Sequence, residues 1–279
     1  MAGMLYLVPT PIGNLGDISQ RCRQTLEEAD FIAAEDTRVT LKLLNHLGIK
    51  KSLISYYEHN KAQKGNAILE RILAGETCAL VSDAGSPAIS DPGEDLVRLC
   101  AQEGITVSAI PGPCAVITAL SISALPTGRF CFEGFLSTAK KSRREHLESL
   151  KGETRTMIFY EAPHKLMNTL EDMAEVFGED RPISLCRELT KLHEEVFRTT
   201  LGQAIARYKE QPPKGEFVLV IGGAEPVQEE APTAQDAAEF VRQKMRDGMS
   251  RKDAVKEAVK VLKLPKNVVY DAALTIENQ

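Results

Sequence analysis

The chain has 279 residues, of which 43% are hydrophobic and 26% charged, and its net charge is −5. The length supports two or three domains, and the composition is ordinary for a globular protein. The acidic balance excludes a globally basic nucleic-acid binder and leaves room for a local basic patch.

Met4 to Val8 reads as a buried strand running into a Pro/Gly loop, residues 9–17. Ile18 to Ala29 is expected to be helical, with Leu26 and Ala29 on its apolar side and Ser19 as N-cap. Residues 30–34 form a second strand, which ends in the abrupt charges Glu35-Asp36-Thr37-Arg38. Thr40 to Leu47 is a short helix stopped by Gly48. Leu53 to Tyr57 is a strand, and Lys61 to Ala74 a helix stopped by Gly75.

Cys78 to Val81 is a short apolar strand. It breaks into Ser, Asp, Gly and Pro residues, and Pro92-Gly93 then opens a helix to about Glu103. An ordinary strand-to-helix connection needs about two to six residues. This one runs eleven, Ser82 to Pro92, at the place where α/β sheets put their ligands. The strand Ile105 to Ile110, the turn at 111–115 and the helix Val116 to Ala124 follow. Such alternation implies a mostly parallel sheet covered on both faces.

Leu125 to Gly128 reads as a linker, so the first α/β domain spans 1–125. A second, mixed α/β domain spans 126–223. It has strands at 130–135, 156–160 and 183–187, an alternating stretch 194–200 suited to antiparallel pairing, and a last strand within 215–223. Helices fall at 163–176 and 201–209. The segment 137–144 carries Lys140, Lys141, Arg143 and Arg144 and leads into a helix to Leu150. Residues 224–233 read as a second linker. The tail, 233–279, reads as three short helices, 234–246, 250–262 and 266–276, with Ser250 as a cap and Pro265 opening the third. Its apolar spacing is helix-turn-helix-like. Nine basic residues between Arg242 and Lys266 are dispersed among acids, a pattern equally suited to a solvated helical tail.

Six cysteines are scattered without CxxC spacing, so neither a zinc site nor a disulfide framework is indicated. The five histidines are not spaced as ligands, and no metal is expected. Residues 1–8 are too short and uncharged for a leader, and no apolar run approaches bilayer-spanning length. The expected compartment is therefore the cytoplasm, with no membrane partner. GxGxxG, P-loop, GxSxG and HExxH motifs are absent. What remains is a set of small-residue loops at 9–17, 35–38, 82–93 and 111–115. Together they suit a cleft that holds an adenosine-containing ligand mainly by main chain.

These loops also carry a resemblance. Val8-Pro-Thr-Pro-Ile-Gly-Asn-Leu-Gly-Asp17, Ala33-Ala-Glu-Asp-Thr-Arg38, Leu80-Val-Ser-Asp-Ala-Gly-Ser-Pro87, Asp91-Pro-Gly93, Pro111-Gly-Pro-Cys-Ala115, Phe159-Tyr-Glu-Ala-Pro-His164, Arg187-Glu-Leu-Thr-Lys191 and Lys214-Gly-Glu-Phe217 together resemble the tetrapyrrole-methylase superfamily. Within it, they resemble the small-subunit (16S) rRNA cytidine-2′-O-methyltransferases. The match covers nearly the whole chain. It implies two α/β domains with S-adenosyl-L-methionine between them, a helical extension that contacts RNA, and a homodimer. The implied reaction is methyl transfer to a cytidine ribose in the decoding region of the small ribosomal subunit.

Carried over by position, the implied cofactor residues are Pro11, Asp83, Gly85, Ser86, Cys114, Ala115, Tyr160, Glu161, Phe217 and Val218. Cys114 and Phe217 read equally well as core. The first loop, Pro9-Thr-Pro-Ile-Gly-Asn14, departs from the Gly-Pro-Gly-type loop of members that act on tetrapyrroles. Two rival readings are a tetrapyrrole C-methyltransferase acting on a corrin or sirohaem precursor, and a non-catalytic rRNA-binding assembly factor. Ribose methylation calls for a group that draws off the hydroxyl proton, or a cation that lowers its pKa. Glu35, Asp36, Arg38, Glu188 and Lys191 are the candidates, with Asp36 and Lys191 preferred. Glu35-Asp36 with Arg38 reads equally as a structural ion-pair cluster. Lys140, Lys141, Arg143 and Arg144 are candidate phosphate contacts, or alternatively a solvated helix start.

Overall fold

The computed structural model describes residues 3–225 and 232–274. The first residues read for a leader, most of the second linker and the end of the third tail helix (275–276) lie partly or wholly outside them. Residues 1–224 form one compact unit and residues 225–279 a second.

The first unit opens with β1 (Met4–Leu7), α1 (Gln20–Glu28), β2 (Phe31–Ala34), α2 (Thr37–Leu47), β3 (Ser52–Ser55), α3 (Lys61–Leu73), β4 (Cys78–Val81), α4 (Gly93–Gln102), β5 (Thr106–Ala109) and α5 (Ala115–Ile122). The five strands make one parallel sheet in the order β3-β2-β4-β1-β5. Successive side chains point to opposite faces of a strand, and both faces here are buried. Phe31, Ala33 and Leu80 pack under α3 and α4 through Ile68, Ile72, Leu96 and Cys100. Ile32, Ala34, Ala79 and Val81 pack under α1 and α2 through Cys22, Leu26 and Leu44. Such double covering explains why the strands read as continuous apolar runs.

The chain continues with β6 (Phe130–Phe135), α6 (Lys140–Ser149), β7 (Thr156–Glu161), α7 (Leu166–Phe177), β8 (Pro182–Arg187), β9 (Glu195–Thr200), α8 (Leu201–Glu210) and β10 (Phe217–Ile221). The second sheet has the order β6-β7-β10-β8-β9. Only β6 and β7 are parallel, and β9 pairs antiparallel with β8 as its alternation suggested. Met157, Phe159, Leu185 and Leu219 face α6, α7 and α8. The opposite face, with Ile158, Cys186, Val218 and Val220, is covered by Val116, Ala119 and Leu120 of α5. A helix that follows the first sheet in sequence thus forms the core of the second. That explains its composition, AVITALSI, which is apolar nearly all round.

The second unit is a three-helix cluster: α9 (Ala234–Arg246), α10 (Arg251–Leu262) and α11 (Lys266–Leu274). Thr233 and Asp236 form a capping box on α9, and the Ser250 side chain caps α10. Ala237, Val241, Ala254, Val255, Ala258, Val269 and Ala273 form its own small core.

Candidate active site

Parallel strands end at one edge, and the loops that leave that edge form the site. The β4 loop joins the others. Thr10 and Gly85 exchange both main-chain hydrogen bonds, at 2.9 and 3.0 Å. The Asp83 Oδ1 accepts from the Asp36 N–H at 2.9 Å. The Ser86 hydroxyl donates to the Pro113 carbonyl at 3.0 Å. Loops after β1, β2, β4 and β5 are thereby tied into one wall. Further along the β4 loop, Ala88 and Ser90 hold left-handed φ angles of 67° and 64°. The Asp91 carboxylate accepts from the Ala88 and Gly93 N–H groups and fixes that turn. Backbone strain of this kind persists where surrounding bonds over-determine it, often at sites.

Between this wall and the second sheet lies a cleft of about 590 Å³, lined among others by Ile12, Glu35, Asp83, Asp91, Ala115 and Tyr160. That volume falls within the roughly 300–1,000 Å³ of small-molecule sites. Phe135 at the end of β6, Tyr160 and Glu161 at the end of β7, Leu189 and Lys191 after β8, and Phe217 and Val218 at the start of β10 line the second-sheet side. The antiparallel pairing of β10 with β7 and β8 brings its start beside their ends.

Of the sequence-predicted residues, Asp83, Ala115, Tyr160, Glu161, Phe217, Val218 and Lys191 line this cleft. Phe217 is also core, 2% exposed, with its ring edge-on to Tyr208. Glu161 is buried, and its two oxygens accept from the Ala162 N–H and the Thr169 hydroxyl. Tyr160 packs against Phe132 and Phe135. Its phenol is pushed up to about 12 by burial, reinforced by Cys114, so it stays protonated.

Gly85 and Ser86 serve the loop ties described above and are not among the lining residues. Cys114 is the N-cap residue of α5 and packs in the apolar cluster between that helix and the second sheet. Pro11 lines a separate, smaller cavity. Glu35, Asp91, Phe135, His164 and Leu189 line the cleft without having been assigned to the cofactor from sequence. Glu35, Asp91, His164 and Leu189 fall within segments the sequence singled out, whereas Phe135 carried no such signal.

The charged candidates separate on geometry. Asp36 caps α2 through the Arg38 N–H and takes the Arg38 guanidinium on both oxygens. Those bonds hold its carboxyl down at about 2. Asp36 does not line the cleft, and the structure shows the ion pair for Asp36 and Arg38 alone, with Glu35 outside it, which argues against Asp36 as a base. Glu35 does line the cleft. Burial, then the Asp83 and Asp91 carboxylates, push its carboxyl above the usual range.

Lys191 Nζ donates to Glu188 at 2.9 Å and to Glu216 at 2.7 Å. Burial lowers its pKa, but those carboxylates outweigh burial and leave it above its ordinary value. It is therefore a fixed cation. Glu188 also accepts from the Glu216 N–H, which with Lys191 keeps its carboxyl low. It orients Lys191 and is not among the cleft-lining residues. This loop lies against Gly13, where a Cβ would sit 2.5 Å from the Lys191 Cγ. Only glycine permits so close an approach.

The basic run is also rearranged. It lies within α6 and not before it. Arg143 is 7% exposed and pairs with the buried Asp172, its Nε donating at 2.7 Å. Its Nη1 donates to the Ser137 and Thr138 carbonyls. It is not available for phosphate, which corrects the expectation for that residue. Arg144 pairs with Glu175, while Lys140 and Lys141 are exposed.

The sequence profile described as Tetrapyrrole (Corrin/Porphyrin) Methylases matches residues 4–205. The chain belongs to the tetrapyrrole methylase family. Among relatives of this methylase, a protein of Synechocystis sp. named ribosomal RNA small subunit methyltransferase I is 47% identical over 99% of both chains. A Bacillus subtilis protein of the same name is 46% identical over 97% of this chain and 94% of its own. Solved structures share the fold at low identity. A Thermus thermophilus uroporphyrin-III C-methyltransferase, complexed with S-adenyl homocysteine, is 15% identical with a TM-score of 0.55, covering 78% of this chain and 97% of its own. A diphthine synthase is 14% identical with a TM-score of 0.60, covering 79% of this chain and 90% of its own.

The cleft of this methylase suits S-adenosylmethionine on its own terms. Ile12, Ala115, Leu189 and Val218 would give apolar flanks for an adenosine, and the acidic lining residues Glu35, Asp83 and Asp91 suit a ligand that carries positive charge.

Proposed function

We propose that this chain is an S-adenosylmethionine-dependent methyltransferase that methylates the 2′-hydroxyl of a cytidine ribose in the 16S rRNA of the small ribosomal subunit. The observation that carries the reading is identity of 46–47% over 97–99% of the chain to proteins named for that subunit's RNA. The likeness to the solved tetrapyrrole enzymes, at 15–19% identity, speaks to fold alone.

The bound cofactor supplies a methyl group already activated on a sulfonium. The chain's task is then to place the acceptor in line and to remove its proton. Asp83, at the tied end of the β4 loop, holds the cationic end of the cofactor. Tyr160, Phe217 and Val218 flank the adenosine. Glu35 would take the hydroxyl proton as the methyl group passes from sulfur to the ribose oxygen, the carbon–sulfur pair returning to sulfur as the neutral thioether. Its raised pKa makes it a better base than Asp36, whose proton affinity Arg38 suppresses. Lys191, oriented by Glu188 and Glu216, offers a fixed positive charge at the cleft.

Lys140, Lys141 and Arg144 on α6, and the second unit, contact RNA backbone. A-form RNA hides its major groove from a recognition helix, so that unit grips shape and phosphates. The reading includes cytoplasmic action and a homodimer, the latter checked by light scattering of the purified chain.

The experiment is transfer of labelled methyl to assembled small subunits, naked rRNA and a porphyrinoid precursor in parallel. Label in the RNA, mapped to a cytidine ribose, is expected. Label in the porphyrinoid alone overturns the proposal, and cofactor binding without transfer to any RNA favours an assembly factor. Asp83→Ala is expected to weaken cofactor binding in a calorimetric titration; unchanged binding refutes the placement of the cofactor.

A further inference from the structure

A second cavity, about 230 Å³, lies beside the cleft and shares Ser82 and Asp83 with it. Its other walls come from the β1 loop (Thr10, Pro11, Leu15) and from α2 (Val39, Thr40, Lys42, Leu43). It is smaller than the roughly 300–1,000 Å³ of sites for drug-sized ligands, and its size suits one heterocyclic ring. Thr40 and Leu43 are buried, whereas Leu15 is 46% and Val39 37% exposed. These two apolar side chains remain open to solvent at the mouth. The cations there differ in commitment. Arg38 is bound to Asp36. Lys42 is exposed and has no acidic partner among the described residues.

A ring-sized cavity with aliphatic flanks and one uncommitted cation among its lining residues suits a single nucleotide, base inside and phosphate outside. Its position adds a geometric argument. Ser82 and Asp83 line both spaces, and the Asp83 carboxylate accepts from the N–H of Asp36, the residue after Glu35. A base seated in this cavity would leave its ribose near the shared Ser82–Asp83 edge of the cleft, which Glu35 also lines.

We propose that this cavity is the acceptor subsite, which receives the unstacked base of the target nucleotide while Lys42 holds a flanking phosphate. This rests on the RNA-methylation reading above.

The test uses the full chain with Val39→Trp, which fills the mouth from a part-exposed position, and Lys42→Glu, which reverses the rim charge. Both are measured for cofactor affinity by calorimetry and for methyl transfer to small subunits under single-turnover and steady-state conditions. Cofactor affinity is expected to stay within about twofold of wild type for both. Val39→Trp is expected to slow single-turnover transfer about a hundredfold, the scale of a misplaced acceptor. Lys42→Glu is expected to raise KM about tenfold more than it lowers kcat, and to lower the salt dependence of KM by about 0.7 in log–log slope, one phosphate contact to a single strand. Transfer by both variants at the wild-type rate overturns the subsite. So does a loss of cofactor affinity by Val39→Trp as large as its loss of transfer, because the cavity then belongs to the cofactor. A wild-type chain that binds cofactor but labels no RNA overturns the function as well. A wild-type chain that labels RNA beside unaffected variants overturns the subsite alone.

Discussion

Two adjacent carboxylates, Glu35 and Asp36, have opposite environments. Both are half-buried, but one lies among like charges and the other against a guanidinium. Their order in the sequence conveys the charge but not the direction each side chain takes, so the sequence alone does not choose between them as the base. Glu35→Gln is expected to reduce methyl transfer by about 10²–10⁴, the usual weight of a general base. As a base Glu35 must be ionised, so the wild-type rate rises with pH through its raised pKa, and the variant lacks that limb in a pH–rate profile. The stability effect has the opposite sign. A raised carboxyl binds its proton more tightly in the folded state, so folding stability falls as pH climbs from the ordinary carboxylate value through the raised one.

Arg143 is the other residue whose type misleads. It stands four residues before Leu147, on the buried face of α6, and that spacing was the available signal of its direction. Arg143→Ala leaves Asp172 buried without a partner and is expected to cost about 3–5 kcal/mol, read from a urea midpoint. The double change Arg143→Met with Asp172→Leu is expected to restore most of that loss, because the ion pair repays little beyond its own desolvation.

Elements were legible where local chemistry determines them. The side chains of Ser19 and Ser250 each accept from the main chain at a helix start, as read, and a cap is a short-range signal. The start of α2 was misplaced by three residues because its cap, Asp36, lies inside a charge run that also suggested chemistry. The wall formed by the β4 loop was visible as an overlong connection, but its ties to Thr10, Asp36 and Pro113 are contacts between residues distant in sequence. No local pattern encodes them. The cavity between the β1 loop and α2 has the same origin, since its walls are about 30 residues apart along the chain. On α6 the exposed pair Lys140 and Lys141 remains after Arg143 is withdrawn. Replacing either by Ala is expected to reduce the log–log salt slope of RNA binding by about 0.7, the weight of one single-strand phosphate contact, in filter binding across a salt series. Arg143→Lys is expected to leave that slope unchanged.

At the scale of the whole molecule, the alternation of strands and helices was enough to give two sheets and a helical tail, because burial on both faces leaves continuous apolar runs. All residues lining both cavities belong to the first unit, and the second has its own core. A chain ending at residue 224 is therefore expected to keep cofactor affinity within about twofold and to lose RNA affinity by about tenfold or more, on the view that each missing phosphate contact costs part of the binding. Calorimetry with the cofactor and binding to small subunits read the two effects separately.

The linker at 125–128 looks like the natural place to divide the first unit, yet α5 lies before it in sequence and packs beyond it in space. A chain cut there would not yield two independent modules. The first fragment would carry an apolar helix with nothing to cover it, and the second a sheet with one naked face, Ile158, Cys186, Val218 and Val220. Each fragment is the other's missing core. Produced apart they would aggregate through these faces, and produced together they would find one another and rebuild the enzyme, a split protein whose reassembly reports itself as methyl transfer.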